Sequence, residues 1–349
     1  MSIKSIKRGA GLGLLLVFLL YGCDRQSYTN KPYPFQYANG TMGTSFSIKV
    51  SQLPKTVAHE ALVQQIDELL SLLNRQMSTY LPDSELSLFN SSQSTEWQPA
   101  SPALFQVLAE AKRVNKQSRG AFDVTVGPLV NLWGFGPDPI SFVAPPEDQI
   151  AAKLHLIGSN HLFLQDDGLA IRKDIPQLYL DLSALAKGYA VDRVALLLEQ
   201  QGIENYLVEI GGEIRLKGVN IQGKPWRIAV EKPAADSRMI QKVLPVSDIC
   251  MATSGDYRNF FEVDGVRFSH TIDPRTGRPI THKLASVTVL SQTTMTADAW
   301  ATALTVLGPV QGFELAQQKN IAALFIIKTD AGFMEKSTSA FNDFFEVKS

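Results

Sequence analysis

Two Asp-Gly pairs do most to limit the folds open to this chain. HLFLQDDGLAIRK sets Asp167-Gly168 between two apolar-rich runs, and YRNFFEVDGVRFSHTID does the same with Asp264-Gly265. Asp-Gly tolerates the positive φ of a two-residue hairpin turn, so each pair predicts two adjacent antiparallel strands. SFSIKV alternates as a half-buried strand does, and YLVEIGG, IRLKG, WRIAVEK and IAALFIIK add further strands. Gly211-Gly212 after LVEI predicts a tight turn or a close backbone approach. Hairpins mixed with helices, without strict alternation, predict an α+β fold and not a doubly wound parallel sheet.

Helices are legible between these strands. VAHEALVQQIDELLSLLNRQ puts Leu62, Ile66, Leu69 and Leu73 on one stripe, and Ser101-Pro102 supplies a cap and first-turn pair for ALFQVLAEAKRV. LYLDL reads as a strand that feeds the helix ALAKGYAVDRVALLLEQQG, which stops at Gly202. Beyond residue 37 no linker, repeat or low-complexity segment interrupts the pattern. Residues 38–349 therefore read as a single domain of mixed sheets and hairpins flanked by helices.

The N-terminus is of a different kind. In MSIKSIKRGAGLGLLLVFLLYGCD, Lys4, Lys7 and Arg8 precede an apolar run from Gly11 to Tyr21. That run is shorter than the roughly 20 residues of an ordinary membrane helix and reads as a signal peptide over residues 1–22. Leu20-Tyr21-Gly22-Cys23 resembles a bacterial lipobox, which predicts a lipid on Cys23, with residues 23–37 as a polar tether bearing prolines. Asp24 resembles an inner-membrane retention signal, so the expected location is the periplasmic side of the inner membrane. An uncleaved anchor, or ordinary cleavage near Gly22, is the alternative.

The formal net charge of −1 offers no basic field for nucleic acid, and nucleic acid is set aside. Cys23 and Cys250 are the two cysteines, so a lipidated Cys23 leaves no intramolecular disulfide. His59, His155, His161, His270 and His282 show no HxxxH pairing, which argues against zinc.

Six polar clusters interrupt apolar or turn-rich contexts: TMGT (41–44), STY (78–80), GAFDVTVGPL (120–129), DLSALAKGYAVD (181–192), SHTIDPRTGRP (269–279) and TADAWATALTVLG (296–308). In DLSALAKGYAVD, Ser183 stands where a helix N-cap would, and a helix start with Lys187 nearby suits a phosphate; capping plus a solvated lysine is the plain alternative. Asp298 and Thr302 are four apart and share a helix face. With a backbone carbonyl they would form an incomplete oxygen site typical of Mg²⁺. Otherwise Asp298 is a first-turn charge and Thr302 bonds back to the chain. Phe122-Asp123 could flank and hydrogen-bond a heterocycle, or form a hairpin corner. His270 precedes a loop of turn formers with Arg275 and Arg278, where function tends to gather, although a lone histidine is more often structural.

In this order the clusters resemble the ApbE family, the FAD:protein FMN transferases, with GAFDVTVGPLVNLWGFG, TSGDYRNFF and HTIDPRTGRPI especially close. The resemblance runs from TMGT to the ADAWATAL helix. It implies an enzyme that cleaves FAD in the presence of Mg²⁺, joins FMN to a Ser or Thr of a target protein through a phosphoester, and releases AMP. It implies that Met42 lies against the flavin and that Tyr80, Ala121, Phe122, Asp123, Asp181, Lys187 and Ile272 line the FAD site. The Ala184 carbonyl, Asp298 and Thr302 would hold the metal. His270 is the candidate general base, since an imidazole titrating near ~6.5 accepts a hydroxyl proton at neutral pH. Ala301 stands where many members carry a second Asp, and Lys187 is Glu in some relatives. The expected acceptors are periplasmic domains of membrane redox complexes of the Rnf and Nqr types. An FAD pyrophosphatase giving FMN and AMP, or a non-catalytic flavin-binding lipoprotein, are the competing readings.

Overall fold

Period-two alternation along the late strands is what organises the molecule, because it lets one sheet carry apolar side chains on both faces. A computed structural model describes residues 33–136, 144–232, 239–255, 260–263 and 266–346. The main sheet has eight strands, labelled here in chain order: β1 Phe35–Thr41, β2 Thr44–Val50, β3 Tyr206–Ile210, β4 Glu213–Lys217, β5 Ile249–Gly255, β6 Leu284–Ser291, β7 Ala322–Thr329 and β8 Gly332–Ser337. All seven pairings are antiparallel and each strand lies beside the next one in the chain. The α+β expectation holds.

Long excursions separate some of these neighbours. Between β2 and β3 come α1 His59–Met77, α2 Glu85–Ser91, α3 Pro102–Gln117, α4 Gly127–Leu132, α5 Glu147–Leu154 and α6 Ala186–Gln200; between β6 and β7 comes α7 Thr294–Gln318, and α8 Ser339–Glu346 ends the described chain. Val287 and Val289 of β6 and Ala323 and Phe325 of β7 face the large core shared with α1, α3, α6 and α7. Their neighbours Leu290, Leu324 and Ile326 face a second cluster with Trp226, Leu244 and Phe341. The sheet is thus covered on both sides, which is why LASVTVL is buried throughout.

Local signals behave largely as chemistry requires. Ser101 Oγ accepts from Leu104 N with Pro102 in the first turn of α3. The Asp167-Gly168 hairpin pairs Leu162–Gln165 with Ala170–Lys173, and Gly168 takes a φ of 82°. Strands 260–263 and 266–269 pair as expected, and the Asp264-Gly265 turn itself lies outside the described residues. The buried stripe of α1 is Leu62, Ile66, Leu70, Leu73 and Met77, with Leu69 half-buried beside it.

Three expectations are corrected. The tether does not extend to residue 37: Phe35 is fully buried in β1, and Tyr33 stacks on Trp226 at 5.9 Å between ring centroids. Burying a phenylalanine contributes about 1.5–3 kcal/mol, so these residues belong to the fold. LYLDL is not a strand. Leu180 exchanges hydrogen bonds with the Asn90 side chain (2.8 and 2.9 Å), and the Asp181 N–H goes to Val124 O at 2.7 Å. Side chains and a loop satisfy this backbone in place of a ladder. Ser183 is not a cap either, because α6 starts at Ala186 with Leu185 at the N-cap and no side-chain cap bond. Residues 1–32, with the signal-peptide and Cys23 expectations, lie outside the described residues.

Candidate functional site

Helices α6 and α7 cap each other. The first N–H groups of a helix have no partner within it and favour negative charge. At the start of α7, the N–H groups of Thr294 and Met295 each donate to the Asp192 carboxylate of α6 at 3.0 Å. In return Asp298 Oδ2 of α7 accepts the Gly188 N–H in the first turn of α6 at 3.1 Å. The exchange needs the two backbones almost in contact. A Cβ on Gly188 would sit 2.6 Å from Thr294 O and 2.8 Å from Met295 Cα. Of the helix-start N–H groups expected to suit a phosphate, that of Gly188 is therefore spent on Asp298. Nor is Asp298 a first-turn charge, since no acid occupies the first turn of α7 and the residue is only 5% exposed. The back-bond expected of Thr302 belongs instead to Thr305, whose hydroxyl donates to Ala301 O at 2.8 Å.

A cleft of about 750 Å³ opens at the ends of β3, β4 and β5 and gathers five of the six clusters. Tyr80 stands at its rim, 74% exposed. Ala121, Phe122 and Asp123 line it from the loop before α4, Asp181, Ala184 and Lys187 from the entry to α6, His270 and Ile272 from the segment after β5, and Asp298 and Thr302 from α7. Met42 is not among the lining residues; it forms the β1–β2 turn with Gly43, at a φ of 48°. Ala301 is fully buried in the core and does not line the cleft.

Two of the acids are already engaged. Asp123 Oδ1 accepts from Thr125 N (2.9 Å) and Thr125 Oγ1 (2.7 Å), and Oδ2 accepts from Asn115 Nδ2 and Ser159 N (both 3.1 Å). Four donors fill a carboxylate's acceptor capacity, so the heterocycle partner sought in this side chain is not available there. Burial still raises the Asp123 pKa from its ordinary value, against the pull of these hydrogen bonds. Asp181 Oδ1 holds the Ser183 N–H at 2.8 Å and shapes the turn into α6.

The charge at the centre of the cleft is Lys187. Its Nζ lies 3.8 Å from Asp298 Oδ2 and 3.6 Å from Glu213 Oε1, and it donates to Ser183 O at 3.1 Å. Burial alone would lower its pKa, but Asp298 and Glu213 outweigh that and raise it, so the ammonium stays charged. Burial raises the pKa of both carboxylates, and Lys187 opposes the shift. The solvated-lysine alternative is overturned. Glu213, 4% exposed, is the site residue that the sequence reading missed, and its only signal was its place after Gly211-Gly212.

Among the described residues no group of three or more His, Cys, Asp or Glu could hold a metal. A mixed oxygen set does fit a hard cation. The Gly188 N–H, which an unbroken helix would give to the Ala184 carbonyl, goes to Asp298, leaving that carbonyl without a helical partner at the cleft wall. Together with the Asp298 carboxylate and the Thr302 hydroxyl one turn on, it gives the oxygen donors that Mg²⁺ accepts beside water and phosphate oxygens.

The ApbE family model matches residues 42–325. The chain is 50% identical over 334 residues to a Vibrio cholerae protein named FAD:protein FMN transferase, covering 95% of this chain and 98% of that one. It is 47% identical to a Haemophilus influenzae protein of the same name, over 88% of this chain and 90% of that one. The solved structure of flavin transferase ApbE from Vibrio cholerae superposes with a TM-score of 0.82 over 88% of this chain and 98% of that chain, at 50% identity. That of the flavinyl transferase ApbE of Pseudomonas stutzeri, apo form, gives 0.82 at 39% identity, over 89% of this chain and 98% of that chain.

Proposed function

The chain belongs to the ApbE family, and from that premise we infer that it is an FAD:protein FMN transferase. The observation that carries the mechanism is the cleft itself, which separate segments line with an oxygen donor set, a charged lysine and His270. We propose that Asp298, Thr302 and the Ala184 carbonyl hold Mg²⁺, and that Tyr80, residues 121–123, Asp181, Lys187 and Ile272 surround FAD. Bound there, Mg²⁺ would neutralise pyrophosphate charge.

In this reading a Ser or Thr hydroxyl of the acceptor protein attacks the FMN phosphorus in line. The new P–O bond forms as the bond to the bridging oxygen breaks, and AMP departs with that oxygen. His270 takes the hydroxyl proton. Its ring stands edge-on to Phe135 at 6.3 Å between centroids, on the cleft wall. Asp192 and Gly188 keep α6 and α7 in register, so that Asp298 meets the entry of α6.

The purified protein incubated with FAD, Mg²⁺ and an acceptor domain is expected to yield covalent flavin on the acceptor. Free FMN with no labelled acceptor would instead identify a pyrophosphatase, and unchanged FAD a flavin-binding protein. His270→Ala is expected to slow transfer about 100-fold or more while FAD still binds; a full rate would remove the base assignment.

The same proposal extends to location. A lipid on Cys23 would hold the cleft on the periplasmic side of the inner membrane, within reach of acceptor domains of Rnf- and Nqr-type complexes. The lipobox-like run at residues 20–23 supports it. Cys23→Ser is expected to abolish incorporation of labelled palmitate and to free the protein from membranes.

A further inference from the structure

Glu213 is a buried carboxylate in the cleft with work left undone. Its side chain is 5% exposed, Oε1 lies 3.6 Å from Lys187 Nζ, and Oε2 has no hydrogen-bond partner among the described residues. A buried carboxylate oxygen without a partner is costly, and such a group persists where something completes it. Lys187 stands midway between demands. It is 3.8 Å from Asp298 Oδ2 and 3.6 Å from Glu213 Oε1, both longer than a hydrogen bond, and among the described residues it donates to Ser183 O. An ammonium has three donors, so two remain to be directed. A Cβ on Gly211 would lie 3.1 Å from Lys187 Cδ, so glycine at this turn leaves the room that the lysine stem occupies.

We propose that Lys187 is a resident counter-cation for Asp298, and that Glu213 is a positioning residue that draws Lys187 off Asp298 when a divalent cation binds there. This rests on the reading of Asp298 as a metal ligand. A buried Asp298 needs positive charge beside it at all times. Lys187 supplies it before the metal arrives; afterwards two cations would share one carboxylate and repel each other. Glu213 offers the ammonium a second seat on the same wall, and its unpartnered Oε2 gains a donor when Lys187 takes it. Glu213 thus favours metal binding without touching the metal.

The test measures Mn²⁺ in place of Mg²⁺, counting free ion by electron paramagnetic resonance on the full chain without FAD or acceptor. Lys187→Met removes the competing cation and is expected to tighten Mn²⁺ binding. Glu213→Gln is expected to weaken it about tenfold, the lower range for residues that act behind a metal ligand. In the Lys187→Met background Glu213→Gln is expected to change nothing, since there is no lysine left to draw away. Equal weakening in both backgrounds would mean that Glu213 acts on the metal without Lys187, by ligation or through its own charge, and would overturn the proposal. No weakening in the wild-type background would overturn it too. If Glu213→Gln does not fold, Glu213→Asp replaces it in the same cycle, expected to weaken binding with Lys187 present and to be silent without it. Asp298→Asn is the control: Mn²⁺ binding that survives it refutes the metal reading itself, whereas binding lost there with no Lys187-dependent effect of Glu213 refutes only the role of Glu213.

Discussion

The corner around Lys187 and the junction around Lys173 bury the same residue in opposite company. Lys173 is fully buried, and its ammonium donates to the carbonyls of Phe89 (3.0 Å), Asn90 (3.3 Å) and Leu178 (3.3 Å). Two of these belong to the C-terminal half of α2, where unsatisfied carbonyls and the negative end of the helix dipole attract a cation. Three donors meet three neutral acceptors, and burial pulls the pKa down to about 8. Lys187 meets two carboxylates that raise its pKa, bonds closely to neither, and leaves one of their oxygens unpartnered among the described residues. The first arrangement is complete and ties a helix end to a loop. The second is incomplete, which is what a site for an added cation requires.

The comparison breaks most visibly at Asp298. Asp298→Ala is expected to lower Mg²⁺-dependent transfer about 100-fold or more, the scale of losing a group that stabilises transition-state charge. Lys173→Met, outside the cleft, is expected to leave the transfer rate at saturating Mg²⁺ unchanged. A flavinylation assay on both variants checks this; equal losses would mean that both lysine corners serve only stability.

Gly188→Ala tests whether the cleft corner owes its geometry to the crossing of α6 and α7. The added Cβ would meet backbone atoms of Thr294 and Met295 at 2.6–2.8 Å, which no rotamer relieves. A loss of about 3 kcal/mol is expected, at the upper end for overpacking. Urea unfolding measures it, and Mn²⁺ affinity measured beside it is expected to fall, because Asp298 cannot keep its bond to the Gly188 N–H while the helices part. Preserved Mn²⁺ affinity in a destabilised variant would separate the crossing from the proposed metal site.

How much of this was legible beforehand follows from the range of the interactions. The Asp-Gly hairpin, the Ser101 cap and the i, i+4 pair of Asp298 and Thr302 are local, and sequence spacing states them directly. The reversal of the reading for LYLDL came from Asn90, distant in the chain, which satisfies the Leu180 backbone. Phe35 looked like tether because its burial depends on helices that come later. Glu213 was invisible for the same reason: in EIGGEIRLKG it reads as an ordinary strand-start acid, and only the turn at Gly211 brings it to Lys187. Spacing likewise leaves open a first-turn place that Asp298 does not occupy; its partner, Gly188, is on another helix.

The smallest effect is the most discriminating for the two lysines. At neutral pH Lys173→Met is expected to cost about 1–2 kcal/mol, since carbonyls at the end of α2 lose their donor. The wild type carries a second, pH-dependent term. With the folded pKa near 8 and the unfolded value at 10.5, the unfolded chain binds more protons between those values, so stability relative to Lys173→Met rises as pH goes from about 8 to about 10.5. Below about pH 8 both states are protonated and the burial penalty is fully present. Paired urea titrations across this window, with wild type and Lys173→Met, are expected to diverge upward for the wild type. A difference that shrinks with rising pH would mean that the three carbonyls hold the ammonium charged as firmly as the carboxylates hold Lys187. Neutral acceptors and carboxylates would then be equivalent hosts for a buried lysine, and an unpartnered carboxylate oxygen would lose its value as the mark of a cation site.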